Sequence, residues 1–253
     1  MKMLFVNPSL RVNHHYKLLP VGLGMVMTYV SNNGYEFDLL DIDIDNLDDT
    51  YVENYISKNK YDIILFGTIV THYKWVKWFC KMIKSYHENA KIIVGNSVSG
   101  SCIDVFMKNV EADYAVIGEG EITLIELLNN LSKNKDVSHI EGIAYRKDGT
   151  YFVNPKRKAL KKIDDFPMIN WDFFDVDKYR KMKTSLIDNE DEKDMSFPLN
   201  TARGCAFRCS FCHFVFWDDP YRHRSPDSIL DEVERNISKY NTNTISFWDD
   251  LSF

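Results

Sequence analysis

Five short apolar runs, spaced by helix-length amphipathic stretches, limit what the first part of this chain can fold into more than any single motif does. The runs are "KMLFVN" from Lys2, "YEFDLLDI" from Tyr35, "YDIILFG" from Tyr61, "KIIVG" from Lys91 and "DYAVIG" from Asp113. Most carry little polar interruption, as expected of strands covered on both faces. Between the third and fourth, "THYKWVKWFCKMIKSYHENA" places Tyr73, Val76, Cys80 and Ile83 at helical spacing. Lys74, Lys77, Lys81 and Lys84 take another face, read as solvated. Strand, helix, strand repeated in this way predicts right-handed βαβ units and a doubly wound, Rossmann-like parallel sheet.

Sheets of this kind bind ligands at the carboxyl ends of their strands, beside the switch point. The segments there are "NPSLRVNHHYKLLPVGLG" from Asn7, "GTIVTHY" from Gly67, "GNSVSG" from Gly95 and "GEGE" from Gly118. They are rich in Gly, Ser, Thr and Asn, which let backbone amides approach a ligand. Small polar residues also serve every α/β protein as turns, so the composition alone names no ligand. "DIDID" from Asp41 does not make a calcium loop. Asn46 takes the place of the central glycine and Val52 that of the bidentate glutamate. Ile42 and Ile44 alternate there as at a strand end. Cys80 and Cys102 read as buried small hydrophobes.

"GIAYRKDGTYFV" from Gly142 predicts a β-hairpin turning at Asp148-Gly149. Residues 154–195, with "NPKRKALKKIDDFP" and "DNEDEKD", are charged and weakly periodic, and read as a linker with one or two short helices. A second unit starts near Ser196. It holds a strand "FPLNTAR", a cysteine loop, a helix "SPDSILDEVERNISKY" opened by Ser225 and Pro226, and a strand "TISFWDD". Two strands and one helix cannot close a core. The division is therefore 1–153, 154–195 and 196–253, the last being the beginning of a larger domain, and the chain reads as the first portion of something longer.

The formal charge is -6, which gives no general attraction to phosphate backbones or anionic lipid. Neither nucleic acid nor membrane is expected as a partner. "MKMLFVNPSL" is too short an apolar run for a signal segment, and no stretch approaches the length of a membrane span. The expectation is a cytoplasmic protein, where thiols stay reduced and clustered cysteines point to metal binding or catalysis.

Three of the five cysteines stand in "TARGCAFRCSFCHF", Thr201 to Phe214. Cys209 to His213 spells C-x-x-C-H, the haem attachment pattern, but that requires export and leaves Cys205 unexplained. Zinc on Cys205, Cys209, Cys212 and His213 needs adjacent ligands, and no second ligand pair follows at knuckle spacing. Three structural cysteines fit poorly beside Arg203, Gly204 and Arg208. An iron–sulfur cluster is the better account, because thiolates are its usual ligands and a compact loop can wrap three corners of a [4Fe–4S] cube. The fourth corner can then chelate the amino and carboxylate groups of S-adenosylmethionine for one-electron cleavage to a 5′-deoxyadenosyl radical. The radical chemistry is the cofactor's, which the protein orients and shields.

Cys205-x-x-x-Cys209-x-x-Cys212 after a strand and before a helix resembles the signature of the radical S-adenosylmethionine superfamily. "YRHRSPDSILDEVE" and "FWDDLSF" are similar to the following segments of its branch with an amino-terminal cobalamin-binding domain. That branch includes anaerobic magnesium-protoporphyrin ester cyclase and radical methylases. "LPVGLGMVMTYVSNNGYEFDLLD" and "ADYAVIGEGE" are similar to that amino-terminal domain. The resemblance implies a cobalamin-binding sheet followed by the start of a partial (β/α) barrel, and an enzyme that methylates or oxidatively cyclises a small-molecule substrate. It implies a cluster on Cys205, Cys209 and Cys212, and Phe211 against the adenine. Asp249 or Asp250 would stand near the methionyl amine, where a carboxylate accepts hydrogen bonds from the ammonium. Thr68, Thr71, Gly95, Asn96, Gly118, Glu119 and Gly120 would line the corrin and its nucleotide tail. An external one-electron reductant such as flavodoxin or ferredoxin is implied as well.

The chain departs from one pattern. Cobalamin domains of the methionine synthase kind carry D-x-H-x-x-G after the first strand, and this chain does not. "DVSHIEG" has the wrong aspartate spacing, so His139 reads as a loop histidine, and His14 and His15 read as solvent-exposed. The resembling branch commonly lacks the motif too, which implies that cobalamin is bound without a protein histidine on cobalt. Because the barrel is incomplete, little turnover is expected from this chain alone. The rival readings are a cobalamin- or Fe–S-binding module or sensor without catalysis, and a zinc-stabilised nucleotide-binding protein.

Overall fold

The computed structural model describes residues 1–10, 17–182, 196–212 and 219–251, and in it the five apolar runs become one sheet. They form β1 (Met3–Asn7), β2 (Asp38–Asp41), β3 (Ile63–Gly67), β4 (Lys91–Gly95) and β5 (Tyr114–Val116), all parallel, in the order β2-β1-β3-β4-β5. The switch point of such an order lies between β1 and β3. The hairpin of β6 (Ile143–Lys147) and β7 (Thr150–Val153) extends the sheet antiparallel to β5. It turns through Asp148 at φ 51° and Gly149 at φ 76°, the left-handed pair that two-residue hairpins favour. His14, His15, His213 and "DNEDEKD" lie outside the described residues.

Backbone contacts divide the chain into two units. The first is Met1–Val12 with Val30–Arg157, and the second is Asn13–Tyr29 with Lys158–Phe253. The cut passes through α1 (Val21–Asn32). The remaining helices of the first unit are α2 (Ile42–Asp45), α3 (Asp49–Lys58), α4 (Tyr73–Tyr86), α5 (Ser97–Gly100), α6 (Ile103–Asn109) and α7 (Gly120–Ser132). Its core joins Leu4, Val6, Ile64, Phe66, Ile92 and Val94 of the strands to Val52, Ile56, Val76, Phe79, Cys80 and Ile83 of α3 and α4.

Three expectations change here. Lys84 is not solvated like Lys74, Lys77 and Lys81: it is half-buried, 2.8 Å from Asp113 and donating to the Ala90 carbonyl at 2.8 Å. Asp113 also accepts from Ile92 N at 2.8 Å, so this pair ties α4 to the edges of two strands. Cys102 is exposed, because it precedes α6 in the break between two short helices, whereas Cys80 is buried and burial pushes its thiol far up. "DIDID" leaves the strand at Asp41, whose carboxylate accepts from Ile44 N at 3.2 Å and turns the chain into α2.

In the second unit, β8 (Ser196–Leu199) and β11 (Thr244–Phe247) pair in parallel, with Ser196 opposite Thr244 and Leu199 opposite Phe247. They are joined by β9 (Ala202–Arg203), β10 (Arg222–His223) and α9 (Pro226–Tyr240), whose Ser225 cap accepts from Ser228 N. The stretch that reads as a linker carries α8 (Val176–Lys181) and two 3-10 turns, Ile163–Asp165 and Trp171–Phe173. Within this unit it buries Ile169, Trp171, Phe174 and Tyr179, apolar residues crowded too closely for a periodic signal. Trp171 meets Phe197 edge-on at 5.9 Å, and Phe197 stacks on Tyr240 at 5.2 Å. A Cβ on Gly24 would lie 2.9 Å from Ile169 Cγ2 and 3.3 Å from Trp171, so α1 approaches this cluster more closely than an alanine allows.

Brief alkylation of the native protein, mapped by mass spectrometry, is expected to modify Cys102 and to leave Cys80 unmodified until denaturant is added. Equal labelling of both in the native state would contradict their placement.

Candidate functional site

The cysteine loop starts from a strand that is broken on purpose-built hydrogen bonds. β8 stops at Leu199, and Ala202–Arg203 re-pair antiparallel with β10 in the register Ala202 to His223 and Arg203 to Arg222. Asp249, just beyond β11, makes the break. Its Oδ1 accepts from Thr201 N at 2.8 Å and Ala202 N at 3.0 Å, and its Oδ2 accepts from the Thr201 hydroxyl. Trp248 N donates to the Leu199 carbonyl at 2.9 Å, and the Asn200 amide donates to the Trp248 carbonyl. Arg224 closes the other side. Its backbone N donates to the Thr201 carbonyl at 2.8 Å, and its guanidinium donates to the carbonyls of Asn200 at 3.2 Å and Ser228 at 2.7 Å. The guanidinium also pairs with the buried Glu232 of α9. Removing one partner of a buried pair strands a charge at a cost of about 3–5 kcal/mol, so this strut is rigid.

Gly204 follows at φ +82°, and a Cβ there would lie 2.5 Å from the Pro220 carbonyl oxygen. Only glycine fits. Beyond it Cys205 is half-buried, Cys209 and Cys212 are exposed, and none of the three is in a disulfide. Cys212 N donates to the Cys209 carbonyl at 3.0 Å, closing a turn, and Phe207 N points at Cys205 Sγ at 3.5 Å. Phe211 is 90% exposed, so its ring packs no core. Among the described residues no three His, Cys, Asp or Glu side chains converge as a metal-holding group. The loop shows the donors and their anchorage. The donor set of three free thiols, one already receiving a backbone N–H, fits an iron–sulfur cluster.

The two aspartates differ. Asp249 is engaged with the backbone as above. Asp250 is exposed, although its carboxyl is partly shielded from water; that desolvation, and then the neighbouring Asp249 charge, push its pKa up.

In the first unit the expected residues all fall at the carboxyl ends of β3, β4 and β5. Thr68 is buried, and its carbonyl accepts from Val98 N at 3.0 Å; Val70 N donates to Ser97 Oγ at 3.2 Å. These bonds stitch the loop after β3 to the loop after β4. Thr71 and Asn96 are exposed, and Gly95, Gly118, Glu119 and Gly120 are half-buried. Asn96 sits at φ 67°, ψ −168°, a region left almost wholly to glycine and costing on the order of 1–3 kcal/mol. Its side chain accepts from Ser97 N at 2.6 Å. Gly118, at φ +83°, leads into α7. His139 is exposed, 3.3 Å from the Asn130 amide.

Sequence reasoning passes over three residues that the structure places here: Thr201, Arg224 and His72. Arg224 and Thr201 act through partners distant in sequence. His72 stands alone in "GTIVTHY", where its one legible signal is a position after a strand.

A doubly wound sheet with built loops at one end, followed by a strand, a three-cysteine loop, a helix and a parallel strand, defines a two-unit cofactor-binding α/β protein. The B12 binding domain model matches residues 10–128, and the Radical SAM superfamily model matches residues 199–250. The chain belongs to the radical S-adenosylmethionine superfamily, in the branch with an amino-terminal B12-binding domain. It is 27% identical over 172 residues to an uncharacterised methyltransferase of Pyrococcus horikoshii, covering 67% of this chain and 35% of that protein. It is 25% identical over 256 residues to an anaerobic magnesium-protoporphyrin IX monomethyl ester cyclase of Rubrivivax gelatinosus, covering 95% of this chain and 43% of the cyclase. The solved cobalamin-dependent S-adenosylmethionine radical enzyme OxsB, with aqua-cobalamin and S-adenosylmethionine bound, shares the fold at a TM-score of 0.78 and 21% identity. That match covers 98% of this chain and 34% of OxsB. The chain thus spans well under two thirds of these proteins.

Asp249→Asn keeps the shape of the pin but loses its charge and turns one acceptor into a donor. Hydrogen exchange at the Thr201 and Ala202 amides is expected to accelerate at least about tenfold, the equivalent of about 1.4 kcal/mol. Exchange in β1 and β3 should not change. Unaltered exchange at Thr201 would show that the carboxylate does not hold the break.

Proposed function

We propose that this chain is the amino-terminal portion of a cobalamin-dependent radical S-adenosylmethionine enzyme acting on a small-molecule substrate, by methyl transfer to an unactivated carbon or by oxidative ring closure. The observation that carries the reading is the anchored loop: three free thiols leave the end of a parallel strand through a glycine that no other residue can replace. On this reading residues 1–153 hold cobalamin, 154–195 connect, and 196–253 begin the cluster domain. Cys205, Cys209 and Cys212 would hold a [4Fe–4S] cluster, with Phe211 offering its exposed ring to the adenine. Asp250 is the freer of the two carboxylates for the methionyl amine, since Asp249 is occupied. Thr68, Thr71, Gly95, Asn96, Gly118, Glu119 and Gly120 would line the corrin. Bound here, the cluster and S-adenosylmethionine supply a 5′-deoxyadenosyl radical and cobalamin a methyl carrier. The chain's own residues fix where these groups sit. Gly204 and Asp249 aim the loop, and the Phe207 amide directs a hydrogen bond at one sulfur.

An electron donor such as flavodoxin or ferredoxin and a cytoplasmic setting complete the reading, both supported by chemistry that needs a reduced cluster and reduced thiols. Among the described residues no helix is long and apolar enough to cross a membrane.

Anaerobic reconstitution with iron and sulfide tests the proposal. About four irons per chain are expected, with an electron paramagnetic resonance signal that changes on adding S-adenosylmethionine. A Cys205→Ala/Cys209→Ala/Cys212→Ala variant should lose the iron. Zinc in place of iron sinks the proposal, and a cluster signal indifferent to S-adenosylmethionine favours a non-catalytic module.

A further inference from the structure

Residues 160–166 fall inside the stretch that reads as a linker, yet they touch both ends of the cysteine loop, all within the second unit. The segment is seated by Ile163, which is buried and opens the 3-10 turn Ile163–Asp165; Phe166 N closes that turn on the Ile163 carbonyl at 3.2 Å. At the entry to the loop the Arg203 guanidinium lies over the Phe166 ring, 4.5 Å from its centroid. Phe166 in turn meets Tyr29 edge-on at 5.9 Å. Gly204 and Cys205 follow Arg203 directly. At the exit the buried Arg222, opposite Arg203 in the ladder of β9 and β10, donates to the Leu160 carbonyl at 2.8 Å and to the Pro220 carbonyl at 3.1 Å. That Pro220 oxygen is the atom a side chain at position 204 would strike. Further along, Ser225 N donates to both carboxylate oxygens of Asp164, at 3.0 and 3.1 Å. Ser225 caps α9, so the helix after the loop starts against the same segment.

A connection that only spans two units has no need of an aromatic face, a carbonyl and a carboxylate set at points that flank one loop. Each contact alone is modest. Because one short segment seated by one buried side chain carries all three, ordering it once serves them together. Groups outside the ligand set act in this way on bound metals, orienting the ligands and tuning the centre they hold. Resting on the cluster reading of the loop, we propose that residues 160–166 are a clasp that positions Cys205 and, through it, the cluster. Phe166 fixes the guanidinium that precedes the first thiol, while Leu160 and Asp164 fix the strand and the helix that receive the chain after the third. The clasp also holds a positive charge two residues before Cys205. Charge near a cluster is one of the quantities that set its potential, and a cation favours the more negative, reduced state.

The test compares the whole chain with Phe166→Leu, which keeps an apolar side chain without a ring face, with Phe166→Tyr, which keeps the face, and with Asp164→Ala. In iron-free protein, alkylation of the half-buried Cys205 is expected to quicken by roughly threefold to tenfold in Phe166→Leu, the size that losing one cation–π contact gives a local opening. Phe166→Tyr should keep the wild-type rate. Hydrogen exchange at the amides of β9 and β10 should quicken in both Phe166→Leu and Asp164→Ala. Cys80 stays unlabelled throughout, as a check that the core is folded. After anaerobic reconstitution Phe166→Leu should still bind iron, with a cluster midpoint potential lower than that of the wild type, and Phe166→Tyr should restore it. Unchanged Cys205 alkylation in folded Phe166→Leu, unchanged exchange in Asp164→Ala, or a potential indifferent to Phe166→Leu would each overturn the clasp. If Phe166→Leu exposes Cys80 and so has not folded, Arg203→Gln removes the same contact from its other side, and the rate at Cys205 decides. A wild type that takes up no iron would instead remove the cluster reading. The alkylation and exchange measurements need no iron, and they would still show whether the segment holds the loop.

Discussion

A parallel strand pair cannot be closed by a tight turn; it needs a crossover that returns the chain to the starting end of the sheet. Both units of this protein inherit their chemistry from that constraint. In the first, each crossover helix covers a face of the sheet, so β1 is buried along its whole length. The polar, glycine-bearing connections gather at the carboxyl ends of β3, β4 and β5. In the second, α9 carries the chain from β8 back to β11, and the parallel pairing brings Asp249 alongside Thr201. Residues separated by nearly the whole crossover become neighbours, and the neighbour is a carboxylate beside three donors.

The cost of these loops is carried by the parts around them. Asn96 holds a conformation that suits glycine, and Gly204 occupies a position where a side chain would strike the Pro220 carbonyl. The strain at Asn96 persists only where surrounding bonds over-determine it, and the backbone at Gly204 is held just as closely without strain. Around Asn96 these bonds are the Val98-to-Thr68 and Val70-to-Ser97 links. Around Gly204 they are the Asp249 pin and the Arg224–Glu232 strut. Hydrogen bonds to a charged acceptor contribute about 1.5–3 kcal/mol each.

What could be read in the sequence was local. Five apolar runs, a hairpin turning on Asp148-Gly149 and a helix opened by Ser225-Pro226 each depend on neighbours in the chain, and each stands where periodicity and turn chemistry put it. The misreadings depend on partners far away. "FPLNTAR" reads as one strand because nothing within it reveals that Asp249 will pull its Thr201 and Ala202 amides out of line. Lys84 reads as one more lysine on a polar face until Asp113 arrives beside it. Cys102 reads as core because composition carries no information about a break between two four- to seven-residue helices. The three cysteines were legible for the opposite reason: their spacing is the chemistry.

The cysteine loop itself is fixed at its ends and open in its middle. Ordering a residue's backbone costs about 1–2 kcal/mol, so drawing the span from Cys205 to Cys212 into one geometry costs on the order of 10 kcal/mol. Within the described span, the Cys212 N bond to the Cys209 carbonyl and the Phe207 N contact with Cys205 Sγ offset little of that, and Cys209, Phe211 and Cys212 are exposed. Thiolate–metal binding supplies free energy of the required size, about 10–16 kcal/mol in small zinc-binding peptides. The Asp249 pin and the Arg224 strut fix where the loop starts, so what the cluster reading asks of metal binding is the ordering of the span from Cys205 to Cys212 alone.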